Sequence, residues 1–156
     1  MRNPGLFLIA CITALAAGPA LAGEAADCDG SPAANRELVV AFYTLGLVER
    51  QPQPAFERYV APDFVEHKPD IPGGTREAAV DFLGGIIRDV PTARWEILRS
   101  AAQDDLVFVH ARMTPAPGAG VYALADIFRV EDCRIVEHWD VVGGPTDMAV
   151  NPHPRF

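Results

Sequence analysis

Residues 126–140, DIFRVEDCRIVEHWD, constrain the fold of this chain more than any other stretch. Two apolar-rich runs flank Glu131-Asp132-Cys133, which is typical of a β-hairpin whose short loop joins two antiparallel strands. Two aspartates and a histidine interrupt these strands, and an ionisable group on a strand face must be solvated, paired or put to use. The length of the loop decides which of these groups share a face.

We predict a three-residue loop with Cys133 in the left-handed conformation, so that Asp126 faces His138 across the hairpin. Side chains alternate along a strand, and one face of this hairpin then carries Asp126, Phe128, Val136, His138 and Asp140. A two-residue loop at Asp132-Cys133 is the alternative. It would put Asp126 and Asp140 on opposite faces, because a slip of one residue inverts every side chain.

Residues 1–22 have the pattern of a secretory signal peptide. Arg2 precedes an apolar run over residues 6–17, and the ALA sequence at 20–22 supplies the small residues of a cleavage site. The run is short for a spanning helix, and an uncleaved anchor is the alternative. We therefore expect an exported protein, periplasmic or secreted, that is cleaved near Ala22 and has no membrane association in its mature form.

The chain has 156 residues, and the length that remains after the predicted signal peptide is typical of one domain. Residues 23–34 form a flexible leader, residues 35–142 the folded domain and residues 143–156 a Pro-rich tail. Hydrophobic residues make up 49% of the chain, which excludes a disordered protein. The formal net charge of −8, without a cluster of basic residues, excludes an electrostatic footprint for nucleic acid.

Two cysteines remain after the predicted cleavage, Cys28 and Cys133. In an oxidising compartment they could form one bridge between the N-terminal segment and the tip of the hairpin. Two unpaired thiols are the alternative, and the sequence leaves both possibilities open. The absence of a C-x-x-C motif argues against redox catalysis.

Hydrophobic periodicity predicts an α+β fold. A first helix begins at Pro32 behind the N-cap Ser31, and a third begins behind the N-cap Thr75. Between them we predict a short helix over residues 55–60 and an extended run over 64–67, and after them four strands over 94–102, 106–113, 121–130 and 134–142. Early helices and late antiparallel strands predict a curved sheet that closes over the helices.

Six motifs follow this order of elements: LVxxFY at 38–43, AFxxYV at 55–60, DFVxHxP at 63–69, DLVxVH at 105–110, DIFRV at 126–130 and IVEHWD at 135–140. Together they resemble the SnoaL-like polyketide-cyclase branch of the NTF2-like superfamily. The resemblance implies a cone-shaped α+β barrel in which three N-terminal helices pack on a curved antiparallel sheet and enclose a pocket. It also implies no metal and no cofactor.

The resemblance also suggests which residues react. In cyclases of the family, an aspartate near the end of the last strand is the general base, and the pattern places it at Asp140. A polar partner, histidine in some of those cyclases, falls where this chain has Asp126. Relatives commonly carry glycine in the hairpin turn, where this chain has Cys133.

The residues themselves favour acid–base chemistry. Removing a proton next to a carbonyl needs a carboxylate base and a donor to the developing enolate oxygen. We predict Asp140, Asp126 and His67 as catalytic residues, with the two aspartates sharing a proton. Seven further side chains are predicted to bind the substrate: His138, His110, Phe128, Phe42, Tyr43, Phe56 and Tyr59.

Each assignment has a structural alternative. Asp140 could end a strand in solvent, Asp126 could be an ion-pair partner, and the histidines could be ordinary loop or core residues. A site with two histidines and one carboxylate around a metal is not favoured, because the candidate ligands are scattered along the chain.

We therefore expect a cofactor-independent enzyme acting on a small, apolar carbonyl compound by aldol-type cyclisation, isomerisation, dehydration or hydrolysis. The alternative is a non-catalytic protein that binds a small molecule in the same pocket. The predicted outer face of the hairpin is apolar, with Ala125, Ile127, Ile135, Trp139 and Val141. Such a surface predicts a homodimer formed through the sheet.

Overall fold

The computed structural model describes residues 28–145, 151–153 and 155–156. The predicted signal peptide, residues 23–27 of the predicted leader, and residues 146–150 and 154 of the predicted tail lie outside these residues. In the described part of the chain, no helix combines the length and apolar character needed to cross a membrane.

Three helices form as the sequence predicts. α1 covers Pro32–Tyr43 and continues as a π-helical turn over Thr44–Val48, α2 covers Pro52–Tyr59 and α3 covers Arg76–Asp89. The Ser31 hydroxyl accepts a hydrogen bond from the Ala34 N–H, which confirms the predicted start of α1. α2 begins three residues before its predicted start, because proline is tolerated in a first turn whose N–H groups have no helical partner.

Five strands form one mixed sheet. β1 covers Val60–Glu66, β2 Arg94–Gln103, β3 Leu106–Thr114, β4 Tyr122–Glu131 and β5 Arg134–Gly143. Their order in the sheet is β1-β5-β4-β3-β2, and every pair is antiparallel except β1 with β5. The α+β architecture is confirmed, but the expectation of a purely antiparallel sheet is wrong at β1. The long connection through α3 and three strands permits parallel pairing there.

The helices pack on one face of the sheet, which we call the inner face. Phe42 from α1 lies at the centre of this core, with its ring centroid 5.2 Å from that of Phe56 and 5.8 Å from that of Phe128. All three rings are buried and meet edge to face, the arrangement that aromatic quadrupoles prefer.

The hairpin of β4 and β5 has a two-residue loop, so the predicted three-residue loop is wrong. Asp132 and Cys133 have φ values of 46° and 59°, and Glu131 pairs with Arg134. Positive φ at both central positions is what a tight two-residue hairpin turn requires. The sequence signal was weak because these positions usually carry asparagine or glycine.

A β-bulge at Val136 then corrects the register. Val130 pairs with Ile135, but Arg129 pairs with Glu137, so Val136 is the extra residue. The extra residue reverses the alternation of side chains along β5. Asp126 therefore pairs directly with Asp140 on the inner face, not with His138. Ile135 lies on the inner face with 0% exposure, so its predicted position on the outer face is wrong.

Cys28 and Cys133 form a disulfide bridge. The bridge joins the segment before α1 to the hairpin tip across a sequence separation of 105 residues. Left-handed backbone is unfavourable by about 1 kcal/mol for a residue with a Cβ atom. The bridge offsets that cost, because it fixes the side chain of Cys133 where the tight turn needs it.

Candidate functional site

Asp126 and Asp140 lie side by side on the inner face, on neighbouring strands. Each side chain is about 10% exposed. Phe128 and His138 form the next pair on the same face, with ring centroids 4.6 Å apart. Four of the five side chains predicted to share this face therefore do so, although the register that produces it differs from the predicted one. The fifth, Val136, is the bulge residue.

His138 lies between two carboxylates. Its Nδ1 is 2.8 Å from Glu66 Oε2, and its Nε2 is 3.3 Å from Asp126 Oδ1. Parallel pairing places Glu66 of β1 next to His138 of β5. An imidazole with an acceptor at each nitrogen satisfies both only when it is protonated and donates twice.

The pKa of His138 reflects this arrangement. Burial alone would lower it, because burial disfavours the charged imidazolium. The hydrogen bonds and negative charges of Asp126 and Glu66 outweigh burial and raise the pKa from 6.5 to about 9. His138 is therefore a cation at neutral pH, and its charge compensates two buried carboxylates.

Tyr43 completes this network from α1. Its hydroxyl donates to Asp126 Oδ2 at 3.2 Å, and its side chain is 1% exposed. Burial, followed by the negative charge of Asp126, raises the pKa of Tyr43 well above its ordinary value. Tyr43 therefore remains a neutral donor. Both oxygens of Asp126 now have a donor, so this carboxylate is held in place.

Lys68 is the partner of Asp140. Its Nζ lies 2.7 Å from Asp140 Oδ2 and 3.5 Å from Asp70 Oδ2. Burial alone would lower the pKa of Lys68, but its hydrogen bond to Asp140 and the charge of Asp140 raise it above the ordinary value. Asp126 and Asp140 therefore each have a cationic partner, His138 and Lys68 respectively.

His67 does not lie with the two aspartates, and its predicted place beside them is wrong. Its ring stacks on Trp139 with centroids 4.7 Å apart, and its Nε2 is 3.3 Å from Glu137 Oε1. Trp139 and Glu137 are on the outer face of β5. The cause is the alternation along β1, where buried Phe64 and Glu66 face inward and the residue after Glu66 faces outward.

His110 is also on the outer face, so its predicted place in the pocket is wrong. It pairs with Ala125 of β4, and its Nδ1 lies 3.0 Å from the Arg99 guanidinium. Its ring stacks on that of Phe156 with centroids 6.1 Å apart. The buried residues of β3 alternate with it at Val107, Val109 and Ala111.

The predicted aromatic residues have different surroundings. Tyr43 contacts Asp126 and Phe128 contacts His138, so both belong to the site. Phe42 and Phe56 are core residues behind it, and Tyr59 is partly buried against the same core. The sequence analysis missed Glu66 and Lys68. Phe64 could have identified them, because an apolar residue in β1 predicts that its side chain and every second one after it face inward.

An apolar surface flanks the charged groups. The Lys68 ammonium lies 5.9 Å from the ring centroid of Phe82 on α3. Several apolar side chains of α3 and of the sheet pack against the core but are only partly buried: Phe82, Leu83, Ile86, Ile97, Met113 and Leu124. This surface next to Asp140 suits a small apolar molecule. In the described part of the chain, no three candidate ligands are grouped so that they could hold a metal ion.

The raised pKa of His138 predicts a loss of stability at alkaline pH. A group whose pKa is higher in the folded state stabilises the fold fully below its unfolded pKa, here 6.5, and this contribution disappears as the pH rises through about 9. We expect the free energy of unfolding to fall by about 3 kcal/mol across this window. Urea unfolding between about pH 6 and pH 9.5 measures it.

His138→Gln is the control for this prediction, because glutamine cannot become a cation. Its stability should stay nearly constant across the same window. Lys68 and Tyr43 do not interfere, since their pKa values are raised from starting values of 10.5 and 10.0. A wild-type protein with equal stability at both ends of the window would contradict the assignment of a charged His138.

Residues 39–138 match the family model of the SnoaL-like domain. No curated protein matches the chain. Among solved structures, AclR, a proposed hydroxylase from Streptomyces galilaeus, is 19% identical with a TM-score of 0.61, and the match covers 72% of this chain and 91% of that one. IdmH, a proposed polyketide cyclase from Streptomyces antibioticus, is 22% identical with a TM-score of 0.55 and coverages of 69% and 91%. An NTF2-like protein from Anabaena variabilis is 17% identical with a TM-score of 0.58 and coverages of 70% and 90%.

Proposed function

The chain belongs to the SnoaL-like domain family, and from that premise we propose that it is a cofactor-independent acid–base enzyme. Its substrate is a small, mostly apolar carbonyl compound, and its reaction begins with removal of a proton from the carbon next to the carbonyl. Aldol-type cyclisation, isomerisation and dehydration share this first step. The name of IdmH, a proposed polyketide cyclase, is consistent with such chemistry, whereas AclR is named as a proposed hydroxylase. The likeness to both extends only to the fold.

One observation carries the proposal: a carboxylate of low exposure, Asp140, lies beside a partly exposed apolar surface and is paired with one cation, Lys68. A base must be able to accept a proton, and Asp140 has one oxygen bound to Lys68. A carboxylate can accept a proton on its other oxygen. Asp126 is a poorer candidate, because His138 and Tyr43 occupy both of its oxygens. We therefore assign Asp140 as the base and Asp126 as the anchor of the charged network.

Hydrogen–deuterium exchange of ketones tests this function without knowledge of the substrate. In D₂O, a base that removes the proton from the α-carbon replaces it with deuterium, which proton NMR detects. We expect the protein to accelerate exchange in at least one of 2-tetralone, 1-indanone and ethyl acetoacetate over buffer alone. Exchange at the buffer rate for all three would overturn the enzymatic proposal.

A binding protein is the second candidate. The observation that favours it is charge compensation: Glu66 and Asp126 enclose His138, and Asp140 is paired with Lys68. Such pairs can also fix the walls of a rigid pocket in which no reaction occurs. Thermal-shift screening with carbonyl compounds detects both functions, because a ligand at 100 times its dissociation constant stabilises the fold by about 2.7 kcal/mol. Only the enzyme also accelerates exchange.

We also propose that the protein is exported and loses residues 1–22. The disulfide between Cys28 and Cys133 supports this location, because such bridges persist mainly in oxidising compartments. Mass spectrometry of the protein recovered from outside the cytoplasm should give a mature chain that begins at Gly23. A full-length mass would contradict cleavage.

A homodimer through the outer face of the sheet is a further part of the proposal. Phe108, Ile127 and Trp139 form a continuous row across three strands. Val65 and Val141 lie on the same face and are 43% and 67% exposed. Apolar surface of this kind is usually covered by a partner, and a twofold axis would pair it with itself. Sedimentation of the mature protein should give the mass of a dimer, and a monomer would contradict the proposal.

A further inference from the structure

Lys68 is the only lysine of the chain. Its side chain is 15% exposed, which is low for a residue type that rarely leaves water. An ammonium has three N–H donors. Among the described residues, the carboxylates of Asp140 and Asp70 account for two of them. Among the same residues, no hydrogen-bond acceptor takes the third, and the partly buried ring of Phe82 lies 5.9 Å from Nζ.

We propose that Lys68 is a second catalytic residue, the cation that holds the oxygen of the substrate carbonyl while Asp140 exchanges a proton with the adjacent carbon. This inference rests on the proposed function and adds the group that receives the negative charge. The 2.7 Å contact between Nζ and Oδ2 places the cation and the base close enough to act on the two ends of one enolising unit.

The step is balanced within the substrate and the two side chains. Asp140 takes the proton, the electrons of the broken C–H bond form a C=C bond, and the electron pair of the C=O bond moves to oxygen. That oxygen becomes an enolate beside the Lys68 ammonium. In an isomerisation, Asp140 returns the proton to another carbon. In an aldol reaction, the enolate carbon forms a bond to a second carbonyl, whose oxygen takes the proton back.

Lys68 acts here as a charge and not as a nucleophile. Its contacts with Asp140 and Asp70 stabilise the protonated amine, and a protonated amine has no electron pair with which to form an imine. The charges around it also indicate the substrate class. Asp70, Asp126 and Asp140 repel an anion, so a neutral carbonyl compound binds best. Negative charge then develops beside Lys68 only during the reaction, which is the condition for accelerating it.

4-Nitrophenol tests this role, because its anion resembles an enolate and absorbs visible light only when ionised. We expect the wild-type protein to bind 4-nitrophenol and to lower the pKa of the bound phenol, because the Lys68 ammonium stabilises the phenolate oxygen. Lys68→Met should raise the pKa of the bound phenol by about one unit or more. It should also lower ketone exchange by about 100-fold, the usual effect of removing one oxyanion donor.

Three variants control for charge and folding. Arg88→Met removes a cation from an exposed position of α3 and should change neither measurement. Lys68→Arg keeps the charge and should retain part of both effects. Lys68→Met combined with Asp140→Asn leaves no unpaired carboxylate of low exposure, because Asp70, the other partner of Lys68, is 71% exposed. The double variant therefore remains informative if the single variant folds poorly. It should bind 4-nitrophenol in its neutral form.

The outcomes separate this inference from the proposed function. Wild-type exchange that Lys68→Met leaves unchanged overturns the role of Lys68 and retains Asp140 as the base. Exchange at the buffer rate in the wild type overturns the proposed function and, with it, both catalytic assignments. A borohydride-trapped adduct of a ketone on Lys68 identifies imine chemistry and overturns the inference. A 15N-lysine-labelled protein gives one Nζ resonance, which should shift when 4-nitrophenol binds.

Discussion

Asp140→Asn should lower ketone exchange by about 1,000-fold, within the range of about 100- to 10,000-fold that general-base catalysis contributes. An amide cannot accept the proton at neutral pH. The amide has nearly the shape of the carboxylate, and its oxygen can still accept a hydrogen bond from Lys68. Binding of a neutral ketone, measured by thermal shift, should therefore remain close to that of the wild type. Turnover and affinity separate in the enzyme, whereas a binding protein has no turnover to lose.

The matched control is Asp81→Asn, which makes the same change at an exposed position of α3. It should leave exchange at the wild-type rate. If Asp140→Asn kept most of the activity, the base would have to be another group. If both exchange and affinity were lost, Asp140 would be needed to shape the pocket, and its assignment as a base would lose support. Near-ultraviolet circular dichroism establishes that the variant folds.

The sequence predicted the elements well because their signals are local. Ser31 and Thr75 each cap a helix through an N–H three residues ahead, and the apolar periodicity that follows is visible without any partner. The order of helices and strands then determined the fold class. The parallel pairing of β1 with β5 was not visible, because strands so distant in sequence carry no signal of their direction.

In the hairpin, Asp126 and Asp140 were correctly predicted to share a face, although the predicted register was wrong. The predicted three-residue loop was wrong, and so was the inference that a two-residue loop would separate Asp126 from Asp140. The bulge at Val136 inserts one residue and restores the alternation. A valine in a strand gives no sign that it is a bulge. Ile135, on the loop side of the bulge, therefore lies on the opposite face from the prediction.

In and just after β1, the sequence analysis chose the candidate residue for its chemistry and not for the face on which its side chain lies. His67 was selected because histidine suits proton transfer, but Glu66 at the end of β1 and Lys68 two residues later are the side chains that reach the site. Alternation from Phe64 would have identified Glu66 as inward-facing. It would not have identified its partner, because Glu66 and His138 are 72 residues apart and meet only through the parallel pairing. The charge of His138 depends on that contact.

Removal of the disulfide is the second large effect that we expect. Cys28→Ser combined with Cys133→Ser should lower the free energy of unfolding by about 4–5 kcal/mol, because the bridge closes a loop of about 100 residues and restricts the unfolded chain. Urea unfolding followed by circular dichroism measures the change, and the wild type in dithiothreitol should match the double variant. Equal free energies of unfolding with and without the bridge would contradict the prediction.

A second variant separates the bridge from the turn. Cys133 has a φ of 59°, and glycine adopts this conformation without the cost of about 1 kcal/mol that a side chain imposes. Cys28→Ser combined with Cys133→Gly should therefore be about 1 kcal/mol more stable than the double serine variant. Both variants should retain ketone exchange below their unfolding temperatures, since Asp140 is at the far end of β5 from the loop. A loss of exchange in fully folded double variants would mean that the bridge positions the site as well as stabilising the fold.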